Sequence, residues 1–305
     1  MAITKVRVKV NGTWTNLSQD STTGKWTGSI TAPAATSYNM SGGYYSVMIE
    51  ATNDAGTVKT WEATDAAWGH ALKLVVRELL KPVIALVTPS NGAYVTNNKQ
   101  AFTFKVTDES GGSGVKLSEV KLEIDGITYD CDSNQMTYSQ ITNGYQFVYT
   151  PETALTDGSH TVIINAADND GNAAATVTAL FTVDTVPPTL NVVTPTEELI
   201  TNNASLTVSG TTNDVTTSPV TVAIALNNEE QGTISVGSDG AFSKTLTLVE
   251  GINTIVITAT DAAGKSSSVT RSVKLDTTIP AINSMTMIPN PVDTSSSVTI
   301  TIEVI

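Results

Sequence analysis

The sequence predicts an all-β protein built from tandem antiparallel β-sandwich modules, and three observations lead to this prediction. Thr, Val, Ser, Ala and Asn dominate the 305 residues, whereas Leu-, Glu- and Lys-rich stretches that would favour helices are scarce. One strand-and-turn pattern occurs three times, and prolines separate its copies. β-Branched residues favour strands, and a fixed repeat marks a supersecondary unit used several times.

The clearest repeat is a strand between two turns. "LTDGSHTVIINAADNDGN" (155–172) recurs as "LVEGINTIVITATDAAGK" (248–265) and, more loosely, as "MSGGYYSVMIEATNDAGT" (40–57). The alternating V-x-I-x-A positions predict a strand with one face in a core, because side chains alternate between the faces of a sheet. Glycine before the strand and the D-x-x-G segment after it predict turns.

A second repeat is a hairpin at the start of each module. "VRVKVNGTW" (6–14), "VKLEIDGIT" (120–128) and "VTVAIALNNEEQG" (220–232) each alternate and then enter a turn. Asn-Gly and Asp-Gly are the residues that a type I′ turn favours, because both central positions need positive φ. The third copy is predicted to turn in the same place.

Proline-containing segments give the module boundaries, since proline ends a strand ladder. They are "LKPVIAL" from 80, "VDTVPPTL" from 183 and "LDTTIPAI" from 275. We therefore divide the chain into a first module (1–80, incomplete or variant), a second module (81–184), a third module (185–276) and a terminal segment (277–305) that resembles two opening strands.

The two ends of the chain differ from the complete modules. The first module lacks residues equivalent to the first two strands of the second, and residues 279–305 form a pattern of two strands that cannot bury a core alone. We expect the natural chain to continue past Ile305. Two alternatives are that the longer tail at 60–76 patches the first module, or that terminal strands of another chain complete it.

The endings "DGSHTVIINAADNDGN" and "EGINTIVITATDAAGK" resemble those of bacterial immunoglobulin-like (Ig-like) domains. The resemblance covers 81–276, is partial for 1–80 and is fragmentary after 277. It is closest to the type that occurs in bacterial surface proteins, polysaccharide-degrading enzymes and phage tail proteins. It implies tandem Ig-like sandwiches, each of two antiparallel sheets, and leaves the function to be argued separately.

Charge and hydropathy limit the partners. The net charge is -13, from 16 basic and 29 acidic residues, so the chain repels phosphate backbones and anionic membranes. The first residues alternate as a strand does and lack the apolar run of a secretory signal. No apolar run approaches the roughly 20 residues of a membrane span. We expect neither nucleic-acid binding nor membrane insertion.

Little in the sequence indicates catalysis, and we expect a non-enzymatic protein. His160 falls where the other copies have Asn253 and Tyr45, which is typical of a structural position. His70 lies near no nucleophile motif, and neither G-x-S-x-G nor a zinc-spaced cluster is present. The single cysteine, Cys131, is predicted to face the core as a small apolar side chain.

No cofactor is predicted, and calcium is the one metal that merits attention. Asp168 and Asp170 in "ADNDGN" could supply oxygens, together with Asp184 at the following boundary. Calcium needs six to eight oxygen ligands, and the segment lacks the full pattern of an EF-type loop. We therefore favour a plain turn at 167–172, with calcium binding as the weaker alternative.

All four tryptophans lie in the first module. Trp26 matches Phe242 of the third module and is predicted to lie in the core. Trp61 and Trp68 have no counterpart, so they either patch the incomplete sandwich, which we favour, or form a docking surface.

The resemblance and the absent export signal together favour a virion role. Phage tails and phage-like contractile particles assemble in the cytoplasm and leave by lysis, so their proteins need no export signal. We expect a tail- or baseplate-associated protein in a multimeric assembly, acting as spacer or as contact with a host-surface glycan or protein. The alternative is a bacterial cell-surface adhesin or stalk.

Overall fold

Strands make up nearly all the regular structure of the computed structural model, which describes residues 1–131 and 136–305. Within these two ranges, short 3-10 helices lie at Gly69–Leu72 and Leu117–Glu119. In the described part of the chain, no helix has the length and apolar character needed to span a bilayer. Contacts divide the chain into two units, Met1–Asp184 and Thr185–Ile305, which are described separately.

The first module has one main sheet and a very small second one. The main sheet has the order β2-β1-β5-β6 with β7 added to β5, and β3 pairs only with β4. The strands are β1 (Ile3–Val10), β2 (Thr13–Asn16), β3 (Ser18–Gln19), β4 (Trp26–Thr27), β5 (Tyr45–Asn53), β6 (Val58–Trp61) and β7 (Lys73–Leu74).

The core of the first module is correspondingly small. Val8, Val10 and Tyr45 are buried, and half-buried side chains, among them Leu74 and Val76 from the tail, pack against them. The tail therefore covers part of the sheet, as the patch hypothesis expects. Trp26, which we predicted to lie in the core, is only half-buried. That prediction was wrong because β3 and β4 are two residues long and supply no full opposing sheet.

The second module is a complete sandwich of two sheets, with orders β13-β14-β10-β8 and β12-β11-β15-β16-β9. Its core is aromatic: Phe104 stacks on Phe147 at 5.0 Å between ring centroids, and Phe102 meets Phe181 edge-on at 5.3 Å. The strands are β8 (Val83–Thr88), β9 (Ala93–Val95), β10 (Phe102–Thr107), β11 (Lys121–Ile124), β12 (Ile127–Asp130), β13 (Met136–Ile141), β14 (Gly144–Tyr149), β15 (Gly158–Asn165) and β16 (Val177–Val183).

The third module repeats this architecture with sheets ordered β17-β19-β22 and β18-β24-β23-β20-β21. Its core is largely aliphatic, and Phe242 is its buried aromatic side chain. The strands are β17 (Thr189–Thr194), β18 (Leu199–Thr201), β19 (Ser205–Asn213), β20 (Thr221–Leu226), β21 (Glu229–Ile234), β22 (Ala241–Thr247), β23 (Gly251–Thr260) and β24 (Ser266–Leu275).

The repeats detected in the sequence coincide with repeats in the structure. The V-x-I-x-A positions lie on β5, on β15 and the residue that follows it, and on β23, and those of the second and third copies are buried. The hairpin turns also recur: both central residues have positive φ at Asn11–Gly12, Asp125–Gly126 and Asn227–Asn228. Type I′ geometry was predicted from the first two of these dipeptides.

The terminal segment forms an isolated two-stranded sheet of β25 (Ile282–Ile288) and β26 (Thr299–Val304). Every residue of both strands is exposed, including Met285, Met287, Ile300 and Ile302. The two predicted strands are therefore present, and they lack a core of their own.

Candidate metal centre

Three acidic side chains meet at one edge of the second module. Glu78 lies in the segment before β8, Asp108 directly follows β10, and Asp168 follows β15. Each offers a carboxylate oxygen, and these oxygens all lie within 4.8 Å of one another. We refer to Glu78, Asp108 and Asp168 as the acidic triad.

Asp168 is held rigidly by the turn that it closes. Its Oδ1 accepts hydrogen bonds from the backbone N–H groups of Gly171 (2.7 Å) and Asn172 (2.8 Å). Its Oδ2 accepts a third from Asn172 Nδ2 (2.8 Å), and the residue is 0% exposed. The segment 167–172 is thus a tight turn, and Asp168 both closes it and belongs to the triad.

The other two acids are fixed by a glycine-rich loop at 111–114. The N–H of Gly114 donates to Asp108 Oδ2 (2.7 Å), and the N–H of Ser113 donates to Glu78 Oε1 (2.6 Å). A Cβ on Gly112 would lie 2.6 Å from Glu78 Oε2 and 2.7 Å from Asp108 Oδ2. Glycine therefore keeps the space between these two carboxylates open.

One oxygen of each of these two acids is buried without a partner. Among the described residues, no N–H or hydroxyl group donates a hydrogen bond to Asp108 Oδ1 or Glu78 Oε2. Asp108 as a whole is only 7% exposed. The ion pairs found in the described ranges involve other residues, so no lysine, arginine or histidine neutralises the triad.

A fourth acid, Glu109, lies against the triad. A hydrogen bond with the Glu78 carboxyl, then burial and the neighbouring Asp108, raise the pKa of Glu109 to about 7. Ionised carboxylates cannot donate to each other, so this contact is a hydrogen bond only while one carboxyl is protonated. The raised pKa reflects the close approach of these acidic side chains to one another.

Hydrogen bonds join the first module and its linker to this edge of the second. Asp170 Oδ2 accepts from Thr36 Oγ1 (2.5 Å) and from the N–H of Glu78 (3.0 Å). Asn39 Nδ2 donates to the carbonyl oxygen of Gly112 (2.6 Å), and Asn172 Nδ2 donates to that of Glu78 (3.2 Å). The triad therefore lies where the two modules are connected.

The three predicted calcium ligands have different positions. Asp168 belongs to the triad, whereas Asp170 uses Oδ2 for the hydrogen bonds to Thr36 and Glu78 and lies outside it. Asp184 is fully buried at the end of β16, where its N–H donates to the carbonyl oxygen of Val95 (2.9 Å). Sequence reasoning missed Glu78 and Asp108, although Asp108 ends a strand beside a glycine-rich loop.

Trp61 and Trp68 lie together in the first module. They line a cavity of about 450 Å³ with Ile49, Ala71 and Leu72. Trp61 is half-buried at the end of β6, whereas Trp68 is 60% exposed. The two hypotheses, that these tryptophans patch the incomplete sandwich or that they form a docking surface, therefore both remain predictions.

His160 contacts the hairpin turn at Asp125–Gly126. Its Nδ1 lies 2.6 Å from Asp125 Oδ2, and its Nε2 lies 2.7 Å from the carbonyl oxygen of Thr156. Both ring nitrogens of His160 therefore lie within hydrogen-bond distance of oxygen atoms of the protein. His70 is exposed, and Cys131 packs half-buried against the core of the second module, as predicted.

Two family models match parts of the chain. Residues 82–164 match the bacterial Ig domain, and residues 188–277 match domain B of glucodextranase. Neither match spans half of the chain. Ig-like domains are typically non-catalytic, although the second model describes a domain of an enzyme. No curated protein matches the sequence significantly.

Many solved structures are similar to this chain at low identity. The fibronectin(III)-like modules of CbhA from Clostridium thermocellum are 15% identical, with a TM-score of 0.40, over 63% of this chain and 94% of theirs. A tetra-tandem repeat from the extending region of a large adhesion protein is 19% identical, with a TM-score of 0.34, over 98% and 79%. Immunoglobulin domains 1–5 of Sidekick-1 are 13% identical, with a TM-score of 0.40, over 92% and 55%. The chain is an all-β protein of tandem Ig-like antiparallel sandwich modules.

Proposed function

We propose that this Ig-like repeat protein is a non-enzymatic structural component of a phage or phage-like contractile particle. It would attach to the tail or baseplate and act as a spacer or as a contact with the host surface. The observation that carries the proposal is the repetition of one sandwich design along the chain, which is typical of proteins that provide length and contact surface.

The polar residues inside the modules support a structural role. His160 and Asn253 occupy the same position, and each bonds to backbone and to the residue that opens a hairpin turn. These groups satisfy buried hydrogen bonds and leave no ring nitrogen or amide for a substrate.

The expected partners follow from charge and surface. A net charge of -13 disfavours nucleic acid and anionic membranes. Other tail or baseplate proteins are the proposed assembly partners, and a host-surface glycan or protein is the proposed target. Trp68, exposed beside an apolar cavity, is the first module's best contact residue, since exposed aromatic rings are common in binding surfaces.

A bacterial cell-surface adhesin or stalk is the alternative, because the same modules would provide reach from a cell wall. Immunogold electron microscopy separates the two functions. Antibody against residues 81–276 would be applied to induced, lysing cultures and to intact, uninduced cells of the source bacterium. Label on the tails or baseplates of released particles supports the proposal.

Label on intact cell walls with bare particles would contradict the virion role and establish the alternative. Antibody adsorbed beforehand with the purified 305-residue chain is the matched control, since it should lose any specific label.

A further inference from the structure

We propose that the acidic triad of Glu78, Asp108 and Asp168 binds a calcium ion at the connection between the first and second modules. The site does not depend on whether a particle or a cell surface carries the chain. It combines a cluster of acids with a separate observation, the buried and unpartnered oxygen of Asp108, which points to a missing positive charge.

Charge balance gives the first reason. A buried carboxylate is costly unless a cation or hydrogen-bond donors compensate it. Backbone N–H groups hold one oxygen each of Asp108 and Glu78, and their other oxygens are buried without an N–H or hydroxyl donor. Asp168 brings a third carboxylate within 4.8 Å. The three carboxylates repel one another, and their hydrogen bonds do not balance this negative charge. One divalent cation bound among them would offset the repulsion.

The chemistry of the ligands gives the identity of the ion. The triad offers only carboxylate oxygens, which hard cations prefer, and contains no thiolate or imidazole of the kind that zinc sites favour. Magnesium usually keeps several of its waters and uses one or two carboxylates, whereas calcium accepts several carboxylates in an irregular arrangement. Three converging carboxylates therefore favour calcium.

Space beside the triad provides for the remaining ligands. A cavity of about 390 Å³ adjoins it, lined in part by Asp108, Glu109, Gly112 and Asn169. Calcium takes six to eight oxygens, so carboxylates in bidentate contact plus waters from this cavity complete the shell. The absence of a side chain on Gly112 leaves the approach open.

The position of the ion determines which parts of the chain it would hold together. Glu78 belongs to the linker that precedes β8, whereas Asp108 and Asp168 belong to the second module. An ion bound to all three joins the linker to the module directly. Calcium would therefore stiffen this connection and stabilise the unit, because a ligand that binds only the folded state raises its stability.

Amide chemical shifts of the full 305-residue chain test the site. Calcium chloride would be titrated into chelator-treated, ¹⁵N-labelled protein, following Gly112, Ser113, Gly114 and Gly171. We expect these amides to shift with a dissociation constant between about 10⁻⁴ and 10⁻³ M, the range of extracellular modules. No response of these amides by about 10 mM calcium would overturn the proposal.

Substitutions assign the response to the triad. Asp168→Asn and Asp108→Asn should each weaken the response by about tenfold or more, since each removes a charged ligand. Asn at 168 keeps the turn, because Asn53 closes the equivalent turn of the first module. Asp20→Asn is the control: Asp20 caps an exposed turn through two backbone N–H groups and should leave the titration unchanged.

Two further outcomes would contradict the assignment. Folded Asp168→Asn and Asp108→Asn variants that respond as the wild type does would exclude the triad as the site. Magnesium chloride that gives the same shifts at the same concentration would exclude selectivity for calcium.

Discussion

The same strand is buried to very different degrees in the first and second modules. Val162 and Ile164 of β15 are 0% exposed, whereas their counterparts Val47 and Ile49 on β5 are only half-buried. Both strands alternate in the same way and lie in the middle of their sheets. The difference comes from the opposite side: the second module has a full second sheet, and the first has the two-residue strands β3 and β4.

The sequence of a strand determines the alternation of its side chains, whereas the surrounding layers determine how far those side chains are buried. The alternation of side chains is local, so it is the same in every copy. Burial, and with it most of the free energy, depends on the area that an opposing layer covers. The first module obtains part of that cover from Leu74 and Val76 of its tail.

The largest expected effect concerns the isoleucines at equivalent positions of β5 and β15. Ile164→Ala should lower the free energy of unfolding of the second module by about 2–5 kcal/mol, because it leaves a cavity in a closed core. Ile49→Ala should cost about 1 kcal/mol, since Ile49 already lines a cavity. Hydrogen exchange resolved by peptide measures each module separately.

Equal losses for the two variants would show that the first module is as well covered as the second. Tryptophan fluorescence during urea unfolding gives an independent reading of the first module, because all four tryptophans lie in it.

A smaller effect is expected near the start of the repeated strand, which is β15 in the second module and β23 in the third. The two modules have different polar pairs there. His160 bonds Asp125, whereas Asn227 Nδ2 donates to Asn253 Oδ1 (3.2 Å). Each single change, His160→Asn or Asp125→Asn, should cost about 1–3 kcal/mol, because each removes the hydrogen bond between the buried His160 ring and the exposed Asp125 carboxylate. The double variant, which copies the third module, should cost less than the sum of the two.

Urea unfolding of the wild type, the two single variants and the double variant provides the measurement. Strict additivity would mean that the two positions are independent and that the polar pairs of the modules are not equivalent. Asn227→Asp in the third module is the matched control, because it introduces the acid without the histidine.

The smallest effect is expected at the ion pair that links β1 and β5. Arg7 Nε donates to Glu50 Oε1 (2.6 Å), and this hydrogen bond, more than the charge of Arg7, lowers the pKa of Glu50. A lowered pKa means that the contribution to stability is present above the ordinary value of 4.5 and is lost as the pH falls through the folded-state value. The pair is half-buried, and ion pairs that solvent still reaches contribute little and are screened by salt.

Glu50→Gln should therefore leave the urea midpoint of the first module nearly unchanged at neutral pH and make it less sensitive to acid. Tryptophan fluorescence between pH 3 and 7 follows this, on either side of the usual range of carboxyl groups. A large loss at neutral pH would show that the pair is a major support of the sheet.

Local features of the molecule were predictable from the sequence, and distant contacts were not. The strand alternation, the hairpin turns and the shared position of His160 and Asn253 depend on neighbours along the chain, so internal repeats revealed them. The acidic triad joins residues 30 and 60 positions apart along the chain, at 78, 108 and 168, and no local pattern links them. Trp26 was misplaced for a related reason, since its alignment with Phe242 carried no information about the missing sheet.

The turn after the repeated strand has a consequence for how such modules diversify. Asn53 and Asp168 both use Oδ1 to accept the backbone N–H groups that close the turn. The codons for asparagine and aspartate differ at one base. A duplicated module can therefore gain or lose a negative charge at this position by a single mutation that leaves the backbone hydrogen bonds of the turn intact.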